Sequence, residues 1–542
     1  MGRGLFTTKI TCYVQRLHSV RRMSVAARAG VLFLVCVHAL IDSSAGVDTT
    51  GKSGCKTTKV LILGAGMSGI TAAKTLSDNG TTDFIILEAR DEIGGRMWSE
   101  VLTKTGVRIE LGANWIQGID PQQPSRHPLW KIAQMCGGIG GSFMKLLTKS
   151  SLVTYNEKGE NVTNDVSVTT RLAYWNNITL PKLIQLSDFR YDRGLEDISL
   201  RMALDMVNWK SVTAMDKAIE WMGTDYCIAE PPERSSLLNN FPDETYGDFG
   251  DINRSMNYFI TDQEHGFVKL VKCLASEFLK PNDERLHLSS NVSEIHWTND
   301  GVCVNTTENG TKTCYCAPFA VVTFSIGAIR FNKDLNFFPP LPSWKSNLLA
   351  RVTMALYLKI FLEFDYTFWD TQADFITHLD DRRGYFINFQ SVSIPGKQGV
   401  LFVTVTGDQA QFVYNQTVDK TTNEIMTILR KIYGQSIPDP LQVTIPPFGK
   451  DPLYNGMYSF QAIGWTEEEY KMLGEPVGRL YFSGEATSPS YSGFVHGAYF
   501  SGIHTANAIL RANQSRVASS SPTEMCFSQL AWLLLGAIVL LS

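Results

Sequence analysis

Apolar residues along this chain change rhythm from one stretch to the next, and each rhythm predicts an element. Lys59-Val-Leu-Ile-Leu63 is a short unbroken apolar run, which reads as a strand covered on both faces. Gly64-Ala-Gly-Met-Ser-Gly69 follows at once and leads into a helical stretch through Leu76, predicting strand, glycine turn and helix. Phe84-Ile-Ile-Leu-Glu88 predicts a second buried strand. Residues 352–364 read as one strand, whose period-two alternation puts Tyr357, Lys359 and Phe361 on one face and Leu358, Ile360 and Leu362 on the other. Cys303 faces Cys314 and Cys316 across a polar stretch ending at Thr311, which predicts a hairpin with one cross-strand bridge to either partner. No internal repeat or low-complexity block interrupts this pattern.

The two ends carry a different signal. Val31-Leu-Phe-Leu-Val-Cys-Val-His-Ala-Leu-Ile41 follows a set of arginines and precedes Ser43-Ser44-Ala45-Gly46, so residues 1–45 read as a signal peptide, with Met23 as an alternative start. Leu530-Ala-Trp-Leu-Leu-Leu-Gly-Ala-Ile-Val-Leu-Leu-Ser542 comes after small residues and a spacer, so residues 519–542 read as a C-terminal GPI-type signal that exchanges the tail for a lipid. The rival for each end is a retained membrane anchor, though both runs are shorter than the ~20 apolar residues that span a bilayer. Nine N-x-S/T sequons, at Asn79, Asn161, Asn177, Asn253, Asn291, Asn305, Asn309, Asn415 and Asn513, suit an extracellular surface.

With 542 residues and 44% hydrophobic content, the chain is long enough for two domains and too apolar for wholesale disorder. Removing both end segments takes away six basic and two acidic residues and brings the net charge from −4 to −8. That balance argues against a nucleic-acid partner and favours cationic ligands. Seven cysteines remain between the end segments, so at least one is unpaired within the chain, and no spacing matches a metal site.

Chemistry enters with the first glycine turn. Gly64 permits the tight turn, Gly66 lets backbone approach a pyrophosphate, Gly69 lets helix pack on strand, and Glu88 ends the next strand where it can accept from ribose hydroxyls. Gly94-Gly95-Arg96-Met97 adds bare backbone and a cation for the phosphates of a long cofactor. With these residues, with Glu110-Leu-Gly-Ala-Asn-Trp115, and with Arg479-Leu-Tyr-Phe-Ser-Gly-Glu-Ala-Thr487 and Gly493-Phe-Val-His-Gly-Ala498, the chain resembles the flavin-containing amine oxidases over residues 58–512. Within them it is most similar to polyamine oxidases of the plant extracellular type, through Asp225-Tyr-Cys-Ile-Ala-Glu-Pro-Pro232, Tyr246-Gly-Asp-Phe-Gly250 and Tyr357-Leu-Lys-Ile-Phe361.

The resemblance implies FAD, held also by Gly112, Ala113, Val292, Gly484, Glu485 and Val495, with Glu485 bonding the ribityl chain. It implies non-covalent FAD, because Ser490-Tyr491-Ser492 lacks the cysteine through which monoamine oxidases tether theirs. Lys359 matches the lysine that holds a water against the flavin, with Tyr357 beside it; Tyr458 and Tyr491 match an aromatic pair flanking the substrate, and Glu230 a tunnel-mouth acid. Two positions depart from the pattern: Gln117 stands where the plant-type enzymes carry an acid, and Phe448 where the family has a tryptophan near the flavin.

The expected fold is α/β, with a Rossmann-like FAD-binding domain from residues 58–140, 265–355 and 455–512 interleaved with a substrate-binding domain, a mixed sheet flanked by helices, from 141–264 and 356–454. The expected reaction is oxidation of a secondary amine in spermine, spermidine or an acetylated form, with O₂ returned as H₂O₂. Alternatives are another FAD amine or L-amino-acid oxidase, or a non-catalytic flavoprotein receptor. Amino acids would need a pocket cation that no motif supplies, and histone demethylation fits poorly with a secretory leader. The motifs encode neither the bond cleaved nor an oligomeric state.

Overall fold

Strand Val60–Leu63 is buried along its whole length, and the fold is organised by what covers its two faces. A computed structural model describes residues 54–144, 152–241, 249, 255–308, 310–392 and 399–519. The expected signal peptide, nearly all of the expected GPI signal, and Tyr246-Gly-Asp-Phe-Gly250 apart from Phe249 lie outside the described residues.

Val60–Leu63 sits at the centre of a five-stranded sheet ordered Leu286–His287, Phe84–Leu87, Val60–Leu63, Phe319–Val322, Leu480–Phe482, with every pair parallel. Val60 and Ile62 point to one side, where helices Met67–Asp78 and Val495–Ser519 pack. Leu61 and Leu63 point to the other, into a core shared with a second five-stranded sheet that contains Ser290–Trp297, Val302–Glu308 and Thr311–Ala317. Two-sided burial is why the strand sequence is continuously apolar rather than alternating.

A six-stranded sheet forms the other half, ordered Gln442–Thr444, Tyr357–Glu363, Val400–Thr406, Asn388–Val392, Phe375–His378, Leu152–Tyr155, antiparallel except for its last pair. Here the two faces differ. Leu358, Ile360, Leu362, Val403, Val405 and Phe389 join the apolar face of helix Val418–Tyr433 in one core. The opposite face carries Tyr357, Lys359, Thr404, Thr406, Asn388 and Gln390 under helix Ala214–Gly223, whose Trp221 donates to Thr406 Oγ1 at 3.1 Å.

The expected single strand over 352–364 is two. Val352–Ala355 pairs with Tyr458–Gln461 in a separate ribbon, and after Leu356 the chain enters the six-stranded sheet as Tyr357–Glu363. Alternation reports the pleat and is blind to the partner, so a strand that changes sheets keeps its pattern. The hairpin forms with Cys303 directly opposite Cys316 and bonded to it. Cys314 instead reaches Cys55, and Cys136 bonds Cys273, which leaves Cys227 unpaired among the described cysteines. Of the sequons, Asn79, Asn161, Asn177, Asn291, Asn415 and Asn513 are exposed, whereas the Asn305 amide donates to Glu294 at 2.6 Å.

Candidate active site

A cleft of about 1320 Å³ runs between the parallel sheet and the six-stranded one. It exceeds the ~300–1,000 Å³ of an ordinary ligand pocket, enough for a large cofactor and a substrate together. Gly64, Gly66, Glu88, Arg96, Gly112, Ala113, Gln117, Val292, Tyr357, Tyr458, Gly484, Glu485, Tyr491 and Val495 all line it.

At one end the backbone itself is the wall. Gly64 turns with φ +111°, and its N–H donates to Leu87 O at 2.8 Å, which ties the turn to the second strand. A side chain at Gly69 would meet Gly64 O at 1.9 Å, so Gly69 is absent from the lining and serves the close packing of helix on turn. Gly66 differs, because a Cβ there would come no nearer than 3.9 Å to any protein atom. The protein tolerates a side chain at Gly66 and the cleft does not. Gly484, at φ +144°, likewise has no neighbour within 4 Å of an added Cβ. Glycines facing open space at a helix N-terminus are what an extended dinucleotide requires.

Glu88 accepts from Ala65 N at 2.7 Å and Arg90 N at 2.9 Å; burial pushes its carboxyl upward and these donors oppose it. Arg96 pairs with Glu485 at 2.8 Å and donates to Met457 O at 3.0 Å. Glu485 also accepts from Ser459 N and Oγ and from Gly493 N. Four donors occupy its two oxygens, so it joins Arg96, strand Tyr458–Gln461 and the turn before the last helix. Glu485 also lines the cleft, and the Ser459 hydroxyl on it stands 2.9 Å from that of Ser492.

The other end is aromatic. Tyr357 lies between Tyr226 and Tyr458, with ring centroids 5.7 and 6.3 Å away, and Tyr458 donates to Cys227 O at 2.9 Å. Helix Asp225–Ile228, which carries Tyr226, is pinned from behind: Arg383 makes two bonds to Asp225, at 2.6 and 2.7 Å, and one to Glu220. Tyr491 lines the same cleft, stacked on Phe249 at 5.3 Å. Cys227 also lines the cleft as an exposed residue, and desolvation by the protein around its thiol pushes it up to about 11. Neither Tyr226 nor Cys227 was singled out in advance, although both stand in the stretch beginning at Asp225; nothing in the sequence marks the first as a wall residue, because its partner Tyr357 is distant in the chain.

Lys359 is 2% exposed and stands behind the lining. Its Nζ donates to Glu110 O and to Gly112 O, the latter at 2.7 Å, so it holds the backbone on which the Gly112 and Ala113 wall is built. Gly112 must be glycine, since a Cβ would meet Arg96 O at 1.8 Å. Burial lowers the Lys359 pKa and raises that of Glu110, and their mutual attraction opposes both shifts. Lys359 is therefore within easy reach of a neutral amine near pH 7.

Glu230 departs from its expected place. It is absent from the lining, and its carboxylate is taken by Arg234 at 2.7 Å, because Ala229 (φ +63°) ends the preceding helix and turns the chain away. Phe448 is fully buried, 5.7 Å from Trp98 and 5.2 Å from Tyr454, and backs Gly112 rather than facing the cleft. Gln117 does face it, with Oε1 buried and without a hydrogen-bond partner among the described residues.

The family profile "Flavin containing amine oxidoreductase" matches residues 67–510. Polyamine oxidase 1 of Zea mays is 35% identical over 477 residues, covering 85% of this chain and 91% of its own length. Polyamine oxidase 7 of Oryza sativa subsp. japonica is 35% identical over 468 residues, 82% of this chain and 93% of its own. Among solved structures, cyclohexylamine oxidase from Brevibacterium oxydans IH-35A superposes with a TM-score of 0.65 at 19% identity, covering 84% of this chain and 99% of its own.

Proposed function

The chain belongs to the flavin-containing amine oxidoreductases and is an FAD-dependent amine oxidase, and from that premise we propose that it oxidises polyamines at a secondary amine. The observation that carries this reading is the charge distribution of the cleft. Arg96 is the sole cation among its described lining residues, and it stands at the cofactor end, bound to Glu485. The remainder presents Asp188, Asp192 and Glu467 with the tyrosine wall. A carboxylate-bearing amino acid would find no counter-ion there, whereas a flexible polycation finds aromatic faces for its methylenes and acids for its ammonium groups.

FAD supplies the acceptor for a hydride, and the open glycines, Glu88 and Arg96 would hold it. The chain's own residues do the rest. Tyr357 and Tyr458 restrict the alkyl chain so that one C–N unit is presented, the enclosed walls exclude water, and buried Lys359 exchanges a proton near the 110–112 backbone. In this reading the oxidised amine hydrolyses to an aldehyde and a shorter amine, and O₂ leaves as H₂O₂. Glu230 takes no part in substrate contact. Residues 58–140, 265–355 and 455–512 serve the cofactor, the last segment also lending Tyr458 and Tyr491 to the aromatic wall, and 141–264 and 356–454 shape the substrate end.

The absence of cysteine from Ser490-Tyr491-Ser492 supports non-covalent FAD. Purified protein should be yellow and release its flavin on acid precipitation, and adding spermine should release peroxide. Flavin that stays attached would overturn the non-covalent reading, and a silent spermine assay with a bleaching response to an amino acid would overturn the substrate class. Three disulfides, exposed sequons and the two end signals support secretion with a GPI lipid at the cell surface. Release from intact cells by a phosphatidylinositol-specific phospholipase tests that part.

A further inference from the structure

One face of the six-stranded sheet holds a polar row where an apolar core would be expected. Lys359 is paired across to Thr404, Thr404 to Asn388, and Asn388 to Thr377, so the four side chains share one face. All are buried. Asn388 Oδ1 and Nδ2 have no hydrogen-bond partner among the described residues, nor has Gln390 Nε2 in the neighbouring row, and the Thr404 hydroxyl has the Tyr357 hydroxyl as its neighbour. Gln390 Oε1 accepts from Tyr226 OH at 2.7 Å, and the Tyr357 hydroxyl lies beside Thr404 and Tyr226. Both tyrosines line the cleft.

Buried amides and hydroxyls without protein partners are satisfied by ordered water, and a row with only a packing duty would be better filled by apolar residues of the same shape. Lys359 Nζ donates to two carbonyls, which leaves the lone pair of the neutral amine, or the third N–H of the ammonium, for another partner. We propose that Asn388, Thr404 and Gln390 hold internal water behind Lys359, forming a hydrogen-bonded route from its amine to the hydroxyls of Tyr226 and Tyr357, along which the lysine exchanges its proton during turnover. Asn388 and Thr404 are then positioning residues, acting through Lys359. The inference rests on the role given to Lys359 above. Among the titratable groups, Glu110 from strand Arg108–Glu110 acts on that amine directly and Arg108 acts on Glu110; Tyr357 and Glu363 share the strand face of Lys359, and Tyr226 comes from helix Asp225–Ile228. The Glu110 carboxylate is already bonded by Ser99 and by Phe267 N, whereas Glu363 accepts from the backbone of Lys104 and Thr105 through Oε2 and has no partner for Oε1 among the described residues.

The test is the pH profile of flavin reduction and reoxidation in single turnovers with spermine. Asn388→Leu and Thr404→Val remove polar support from the charged amine, so the pH step due to Lys359 should move toward acid by about one pH unit, a tenfold change in proton affinity. The slower half-reaction should fall at least about fivefold, and Thr404→Ser should restore both. Bound-flavin absorbance and thermal midpoint report whether each variant folds, and isosteric Thr404→Val carries the test if Asn388→Leu does not. Wild-type profiles in the folded variants would overturn the water route, as would a rate loss with the pH step unmoved, which a purely structural defect produces. Lys359→Met separates the levels: if it leaves the step in place, the role of Lys359 itself falls, and the route with it.

Discussion

The two ends of the cleft are built by opposite means. At the cofactor end the wall is backbone, drawn from short segments: Gly64, Gly66 to Ser68, Gly94 to Arg96, Gly484 and Glu485. At the substrate end the wall is side chain, and three of its tyrosines come from helix Asp225–Ile228, strand Tyr357–Glu363 and strand Tyr458–Gln461, which meet only in the folded molecule. A backbone wall is specified by what is missing from each position and gives all or nothing. A side-chain wall is specified by mutual packing and admits graded change.

The sharpest way to break that comparison lies in the glycine turn. Gly69→Val overlaps Gly64 O, so the strand–helix junction cannot form, and a loss beyond about 3 kcal/mol should leave little soluble, flavin-loaded protein. Gly66→Leu meets only cleft space, so it should give a folded protein with a near-normal thermal midpoint and no flavin spectrum. If both variants unfold alike, the distinction between packing glycine and ligand glycine is lost.

Next in size is Lys359→Met, expected to slow flavin reduction or reoxidation at least about tenfold, or ~1.4 kcal/mol of barrier, while flavin stays bound. Since burial lowers the lysine pKa, the wild-type activity due to the neutral amine should appear as pH rises through that lowered value and not only near the usual 10.5. The variant should lack this step; unchanged stopped-flow traces would return Lys359 to a packing role.

Tyr458→Phe removes one hydrogen bond, to Cys227 O, and keeps the ring, so a graded wall predicts a loss of ~1 kcal/mol, a factor of about five in kcat/KM. Loss of flavin from this variant would mean that the two ends are not independent.

The smallest effect is expected at Gln117, whose Oε1 is buried at the lining without a partner among the described residues. Gln117→Glu should improve spermine binding by ~0.2–1 kcal/mol, less at high salt, and leave an N-acetylated analogue nearly unchanged. Impaired turnover of the acetylated substrate would instead make the amide its selector, and equal changes for both substrates would remove position 117 from substrate contact.

Legibility follows the same division. Val60–Leu63, the glycine turn, Glu88 and Arg96 are readable because each lies within a few residues of the element that fixes it, and the structure places the turn, Glu88 and Arg96 on one cleft. Tyr357 and Lys359 were correctly set on one face by alternation, yet the break at Leu356 was invisible, since partner choice leaves no mark on a period-two pattern. Glu230 reads as a tunnel acid in the sequence, but Arg234, four residues later, takes its carboxylate. Tyr226 carried no mark as a wall residue, and the polar row from Lys359 to Thr377 spans four strands that only the register aligns.

The sequence by itself therefore determined the buried strand with its cofactor turn, the family and the placing of Lys359 on the Tyr357 face of its strand, because local sterics and apolar periodicity act within a few residues and leave their trace in residue type. Only the tertiary structure decided that Cys314 bonds Cys55, that Glu485 accepts from four donors, that Glu230 is paired away, and that Asn388 and Thr404 stand behind Lys359. These depend on contacts between residues far apart in the chain, whose selection rests on the summed burial of whole faces and not on any one residue's preference.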